Sequence, residues 1–94
     1  MATRKVASVS ANGSGVISQR NNIVLRSIAI AVKGSSSNTI QLFASNDYTN
    51  PITSTLDTTA IAEWRGYDGF ICNQLSYTMA TGTAATVDIV YDEN

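Results

Sequence analysis

The stretch Glu63-Trp64-Arg65-Gly66-Tyr67-Asp68-Gly69 holds the densest set of chemically versatile side chains in the sequence. Trp, Arg and Tyr are the residue types most often found as anchors of protein interfaces. Trp64, Arg65 and Tyr67 lie within four positions and next to glycines, an arrangement that suits a contact patch on a turn. Two other readings of the same residues stay open. Trp64 can be the core tryptophan of a sandwich with Tyr67 in the turn, or Trp64 and Tyr67 can form a sugar-stacking platform. Catalytic chemistry has little to work with. The chain has no histidine, which excludes Ser-His-Asp and Cys-His arrangements and histidine zinc sites. Cys72 is the single cysteine, so neither a disulfide within the chain nor a thiolate metal site can form. Its setting, Phe70-Ile71-Cys72-Asn73-Gln74-Leu75, reads as a strand in which a buried cysteine acts as a small apolar filler. A glycosidase needs two acids facing each other across a cleft. Asp88 and Asp92 instead fall on one face of one strand, as solvated charges that discourage edge pairing. Asp47 and Asp68 lack the spacing of a calcium loop, and Gly13-Ser14-Gly15 opens no helix that would cradle phosphate. No catalytic, cofactor or metal residue is expected.

Composition narrows the partners. The 94 residues make one domain with a single core, and they carry a net charge of −1 with only 14% charged residues. No basic field gathers nucleic acid, and no apolar run reaches the length of a membrane helix. The start, Met-Ala-Thr-Arg-Lys, is basic but leads into no apolar secretion segment, so synthesis in the cytoplasm is expected. Eleven Ser, eleven Thr and eight Asn point to strands and turns rather than helices. So weakly charged a surface also sets little electrostatic barrier to association.

The elements that must position these residues are legible as alternation. The most apolar run, Asn22 to Lys33, alternates Val24, Arg26, Ile28, Ile30 and Val32 against Leu25, Ser27, Ala29 and Ala31. The first set is expected to face the core, with a bulge or an edge of burial at Arg26. Residues 4–19, with the turn Ala11-Asn12-Gly13-Ser14-Gly15, predict a hairpin. Residues 23–45, broken at Gly34 to Asn38, predict a second. Residues 70–91, turning at Ala80-Thr81-Gly82-Thr83, predict a third, whose last strand buries Ala85, Val87, Ile89 and Tyr91. A short edge strand is expected within 52–57; 59–65 reads as a strand, with a short helical turn as the alternative. The sum is an all-β fold, a single antiparallel β-sandwich or barrel-like domain of about seven or eight short strands. It spans 1–94, with 1–4 and 93–94 as flexible termini.

From Gly69 through the Thr81-Gly82-Thr83 turn to the alternating Ala85-x-Val87-x-Ile89-x-Tyr91 strand, the chain resembles the closing hairpin of small tailed-phage virion proteins. Leu25, Ile28 and Ile30, followed by Ile40-x-Leu42-Phe43-Ala44-Ser45, resemble the preceding hairpin of the same proteins. The likeness covers about two thirds of the chain. Asn73 and the turn 63–69 depart from it, and it carries over fold positions rather than functional residues. It implies a non-enzymatic virion structural protein, most simply a capsid decoration or cement protein. Its partners would be the major capsid protein or other virion subunits, in multiple copies or as a homo-oligomer, with no nucleic acid or membrane. A neck, tail or fibre component, or a small carbohydrate-binding module, are the alternatives. The expected interface residues are Trp64, Arg65 and Tyr67, with Arg4 and Lys5 as a short arm reaching a neighbour. The protein would be made in the host cytoplasm and reside in the virion.

Overall fold

The apolar run forms β3 (Ile23–Val32), as its β-branched content predicts. The structure is a computed structural model and describes residues 3–64 and 70–93. The expected irregularity at Arg26 is present and changes which residues are buried. Leu25 stands opposite Tyr91 but Ser27 stands opposite Val90, so Arg26 is an extra residue in the ladder. Side chains alternate with period two, and one inserted residue swaps the inward parity. Ile23 and Leu25 are therefore buried before the bulge, and Ile28 and Ile30 after it. Val24 and Arg26 are only half-buried, and Val32 is exposed. The expected core face holds for Ile28 and Ile30 and fails for Val24, Arg26 and Val32.

Two antiparallel sheets pack face to face, with nine strands among the described residues. One sheet runs β1 (Thr3–Val9), β9 (Thr86–Glu93), β3, and then β6 (Glu63–Trp64) and β7 (Phe70–Cys72), which share the far side of β3. The other runs β2 (Gly13–Ser18), β8 (Leu75–Ala80), β4 (Thr39–Phe43) and β5 (Leu56–Asp57). The three predicted hairpins are not hairpins. β1 and β2, β3 and β4, and β8 and β9 each lie in opposite sheets. Their turns arch across the sandwich, and each strand pairs with one distant in sequence. The reason lies in burial: strands that each have one apolar face can cover it across a core as well as beside a neighbour.

The predicted strand 70–79 is likewise two. Gln74 takes a left-handed backbone at φ 63°, and the corner Asn73-Gln74 moves the chain from β7 in one sheet to β8 in the other. Cys72 is buried, as its strand setting predicted, and its neighbour Ile71 is exposed on the opposite face. From the second sheet Ile40, Leu42, Leu75 and Met79 complete the core. Ala85, Val87, Ile89 and Tyr91 are all buried, as their alternation predicted. Among the described residues of the two predicted segments, Leu56–Asp57 and Glu63–Trp64 are strands. Thr3 and Arg4, expected to be loose, pair with Glu93 and Asp92.

One end of the sandwich is tied together by Asn38, whose side chain is fully buried. Its Nδ2 lies 2.8 Å from Asn12 Oδ1, 2.8 Å from Thr81 O and 3.2 Å from Ala80 O. Its Oδ1 accepts from Thr58 Oγ1 at 2.5 Å and from the Ala85 amide at 3.2 Å. Beside it, Ser35 and Thr83 exchange two backbone bonds of 3.1 Å. Gly82 sits against this bridge at φ 62°, where a Cβ would overlap the carbonyl oxygens of Ser35 and Ser36.

Asn38→Ala strips donors and acceptors from several partly buried backbone groups at once. It is expected to lower stability by about 2–4 kcal/mol in urea unfolding. Gly82→Ala is expected to destabilise as well, because the left-handed φ and the overlap act together. A variant of Asn38 that unfolds at the wild-type urea midpoint would contradict this account of the loop end.

Candidate functional site

Trp64 lies in β6 opposite Ile28, half-buried and packed against the core cluster. That position fits the core reading of this residue, with part of its surface still facing solvent. Arg65 and Tyr67 lie outside the described residues, as does Asp68. The expected contact patch is therefore placed only at its Trp64 end. Arg4 and Lys5 form no arm in this structure. Both belong to the paired edge strand β1, far along the first sheet from β6.

What β1 and β9 bring together is an ionic cluster that reasoning from sequence missed. Asp92 points to the outer face of the first sheet yet is only 7% exposed. Arg4 Nε donates to its Oδ1 at 2.5 Å, and Arg26 Nε donates to its Oδ2 at 2.8 Å. The bulge in β3 is what carries Arg26 into this row. Asp92 is thus no free solvated strand charge: the Arg4 bond first, and the Arg26 bond second, hold its carboxyl below the ordinary Asp range. Next to it, Glu93 accepts from Ser18 Oγ at 2.8 Å and lies 3.7 Å from both Lys5 Nζ and Arg20 Nε. Asp88 is half-buried and accepts from Ser8 Oγ at 2.6 Å. The signal in the sequence was the Arg4–Asp92 pair, but 88 positions separate its members and only strand pairing joins them.

At the end of the sandwich away from Asn38, Asn22, Ala44, Asn50, Ile71, Cys72 and Asn73 line a hollow of about 360 Å³. Among the described residues its lining carries no charged side chain. Asn73 Oδ1 accepts from the Asn22 amide at 3.0 Å, which fixes one wall. Cys72 forms part of the floor, and burial pushes its thiol up from the ordinary range. Such a thiol is a poor nucleophile, because the thiolate is the reactive form. Asp47 lies in the bend after β4 and Asp57 ends β5, and hydrogen bonds from Thr49 and Thr59 respectively lower their pKa. Among the described residues no group of acids and Cys is placed to hold a metal.

Two predictions follow from these groups. The folded-state pKa of Asp92 is depressed, so its contribution to stability is present above the unfolded value of about 4 and is lost as pH falls through the folded value. Asp92→Asn is therefore expected to be less stable than wild type at neutral pH, with the gap closing in acid. A gap independent of pH in parallel urea titrations would refute this. Cys72 is expected to react with an aromatic disulfide reagent far more slowly in the native protein than after denaturation; equal rates would place it at the surface.

No protein-family model matches this chain, and no curated protein shows significant similarity to it.

Proposed function

We propose that this chain is a non-enzymatic structural subunit of a phage virion, most simply one that decorates the capsid and cements it through protein–protein contacts. The observation that carries the reading is the surface. It combines a net charge of −1 with exposed apolar side chains at Val6, Val32, Ile61 and Ile71 and an open sheet edge at β1. Those features favour association over dispersion. The resemblance of the 25–45 and 69–91 segments to small tailed-phage virion proteins supplies the particle. The partners in this reading are the major capsid protein or neighbouring virion subunits, and Trp64, Arg65 and Tyr67 are its expected contact residues.

A second reading rests on the hollow at the Cys72 end. Amide side chains of Asn22, Asn50 and Asn73, with no charged side chain among the described lining residues, suit a neutral, hydroxyl-rich ligand such as a sugar.

Mass spectrometry of gradient-purified virions is expected to find the chain in many copies, and its absence would overturn the virion reading. The double substitution Arg65→Ala and Tyr67→Ala is expected to leave the melting temperature unchanged. It should weaken particle binding by about thirtyfold, the effect of losing a true anchor of about 2 kcal/mol. Full occupancy by this variant would remove the turn from the interface. Chemical-shift changes confined to Asn22, Asn50 and Asn73 on adding oligosaccharide, with no virion association, would favour the second reading.

A further inference from the structure

A two-sheet sandwich leaves open edges, and natural β proteins blunt them because an unpaired ladder is a template for another strand. Three of the borders here are blunted. β5 and β6 have two residues each and β7 has three. β2 is longer but contains Gly13 and Gly15, and its register breaks between Val16 and Ser18. β1 has none of these devices. It runs seven residues without Gly or Pro, in unbroken register from Thr3 opposite Glu93 to Val9 opposite Val87. Charges on an edge strand ordinarily repel an incoming strand, but those of β1 are drawn back into their own sheet. Arg4 is bonded to Asp92, and Lys5 lies 3.7 Å from Glu93.

We propose that β1 pairs antiparallel with β1 of a second copy, about a two-fold axis at Val6. This rests on the assembly reading above and names the surface through which copies of the chain meet. Only a register centred on a residue keeps the second sheets of both copies on the same side, since neighbouring side chains alternate faces. Centring on Lys5 would set Lys5 against Lys5. Centring on Ala7 would leave Arg4 and Thr3 unpaired. Centring on Val6 pairs all seven residues: Thr3 with Val9, Arg4 with Ser8, Lys5 with Ala7, and Val6 with itself.

That register is complementary in charge and in apolar surface. No charge stands opposite a like charge. Val6 is 61% exposed in the single chain and is covered by its own counterpart at the axis. Arg4 of one copy stands opposite Ser8 of the other, whose hydroxyl already donates to Asp88 on the same outer face. Among the described residues Ser8 is the bonded partner of Asp88, and no cation neutralises that acid. The pairing brings a guanidinium beside it, twice by symmetry.

Sedimentation velocity and equilibrium on the purified full chain test the proposal. Wild type is expected to dimerise with rising concentration. Val6→Lys and Val6→Glu, changes at an exposed position, are each expected to weaken the dimer by about tenfold or more, because each sets like charges directly opposite at the axis. An equimolar mixture of the two variants is expected to associate again, since Lys then faces Glu. A wild type that stays monomeric throughout, variants that associate as wild type does, or a mixture that remains monomeric would each overturn the pairing. Should either variant fail to fold, amide exchange on wild type decides. Amides of β1 directed away from β9 are expected to gain protection with concentration, and concentration-independent exchange would refute the dimer. A chain that dimerises but is absent from virions would sink the virion reading alone, while a monomer found in virions would sink this pairing alone.

Discussion

The side chain of Asn38 is the contact on which one whole end of the molecule depends. An amide buried without partners is costly, and this one is buried completely. It is tolerated because it satisfies groups that the loops would otherwise leave open. Its donors reach Asn12 in the β1–β2 turn and the carbonyls of Ala80 and Thr81 after β8. Its acceptor takes Thr58 after β5 and the Ala85 amide before β9. Four connections that are distant in sequence are thereby held in one arrangement. The Ser35–Thr83 bridge and Gly82 lock the same loops from the side. A polar network of this kind specifies one docking of the turns, where apolar contacts alone would permit several.

That fixed end matters because the chain changes sheets at every connection except β4–β5 and β6–β7. In a hairpin the turn lies beside a ladder that holds it. In an arch the turn spans the core, and its backbone groups have no adjacent strand to bond. Asn38 supplies those bonds at one end. At the other, the Asn22 amide bonds Asn73, the Gln74 amide bonds Arg20 O, and Ser18 bonds Glu93. The cost in folding speed follows from the same topology, since pairings such as β1 with β9 close nearly the whole chain into a loop.

The consequences for function run through the edges. The first and second strands go to different sheets and each forms a border of its sheet, and the two borders are finished differently. β2 is interrupted by glycine and a register break. β1 is regular, and its charges are spent within its own sheet on Asp92 and Glu93. The Arg4–Asp92–Arg26 row thus has a structural role and also leaves the β1 backbone uncovered. The bulge at Arg26 serves both the core and this row, since it turns Ile28 and Ile30 inward while sending Arg26 out to Asp92. The proposed assembly would use that border, and the scarcity of charge sets little electrostatic barrier to it.

Much of this was determined by the sequence itself. Alternation located β3, β4 and β9, and it identified Ala85, Val87, Ile89 and Tyr91 as one buried face, because side-chain parity is a local property of an extended chain. The irregularity at Arg26 was legible for the same reason, as a charged residue interrupting an apolar face. The absence of histidine and the single cysteine bounded the available chemistry without any structure. What parity does not encode is which strand lies beside which. An apolar face is buried equally well against a neighbour in the same sheet or across the core, so the arches were read as hairpins. The burial of Asp92 and the reach of Asn38 were hidden likewise, because their partners are brought close only by strand order. That order is decided when both sheets, their turns and the polar groups of the loops are satisfied together.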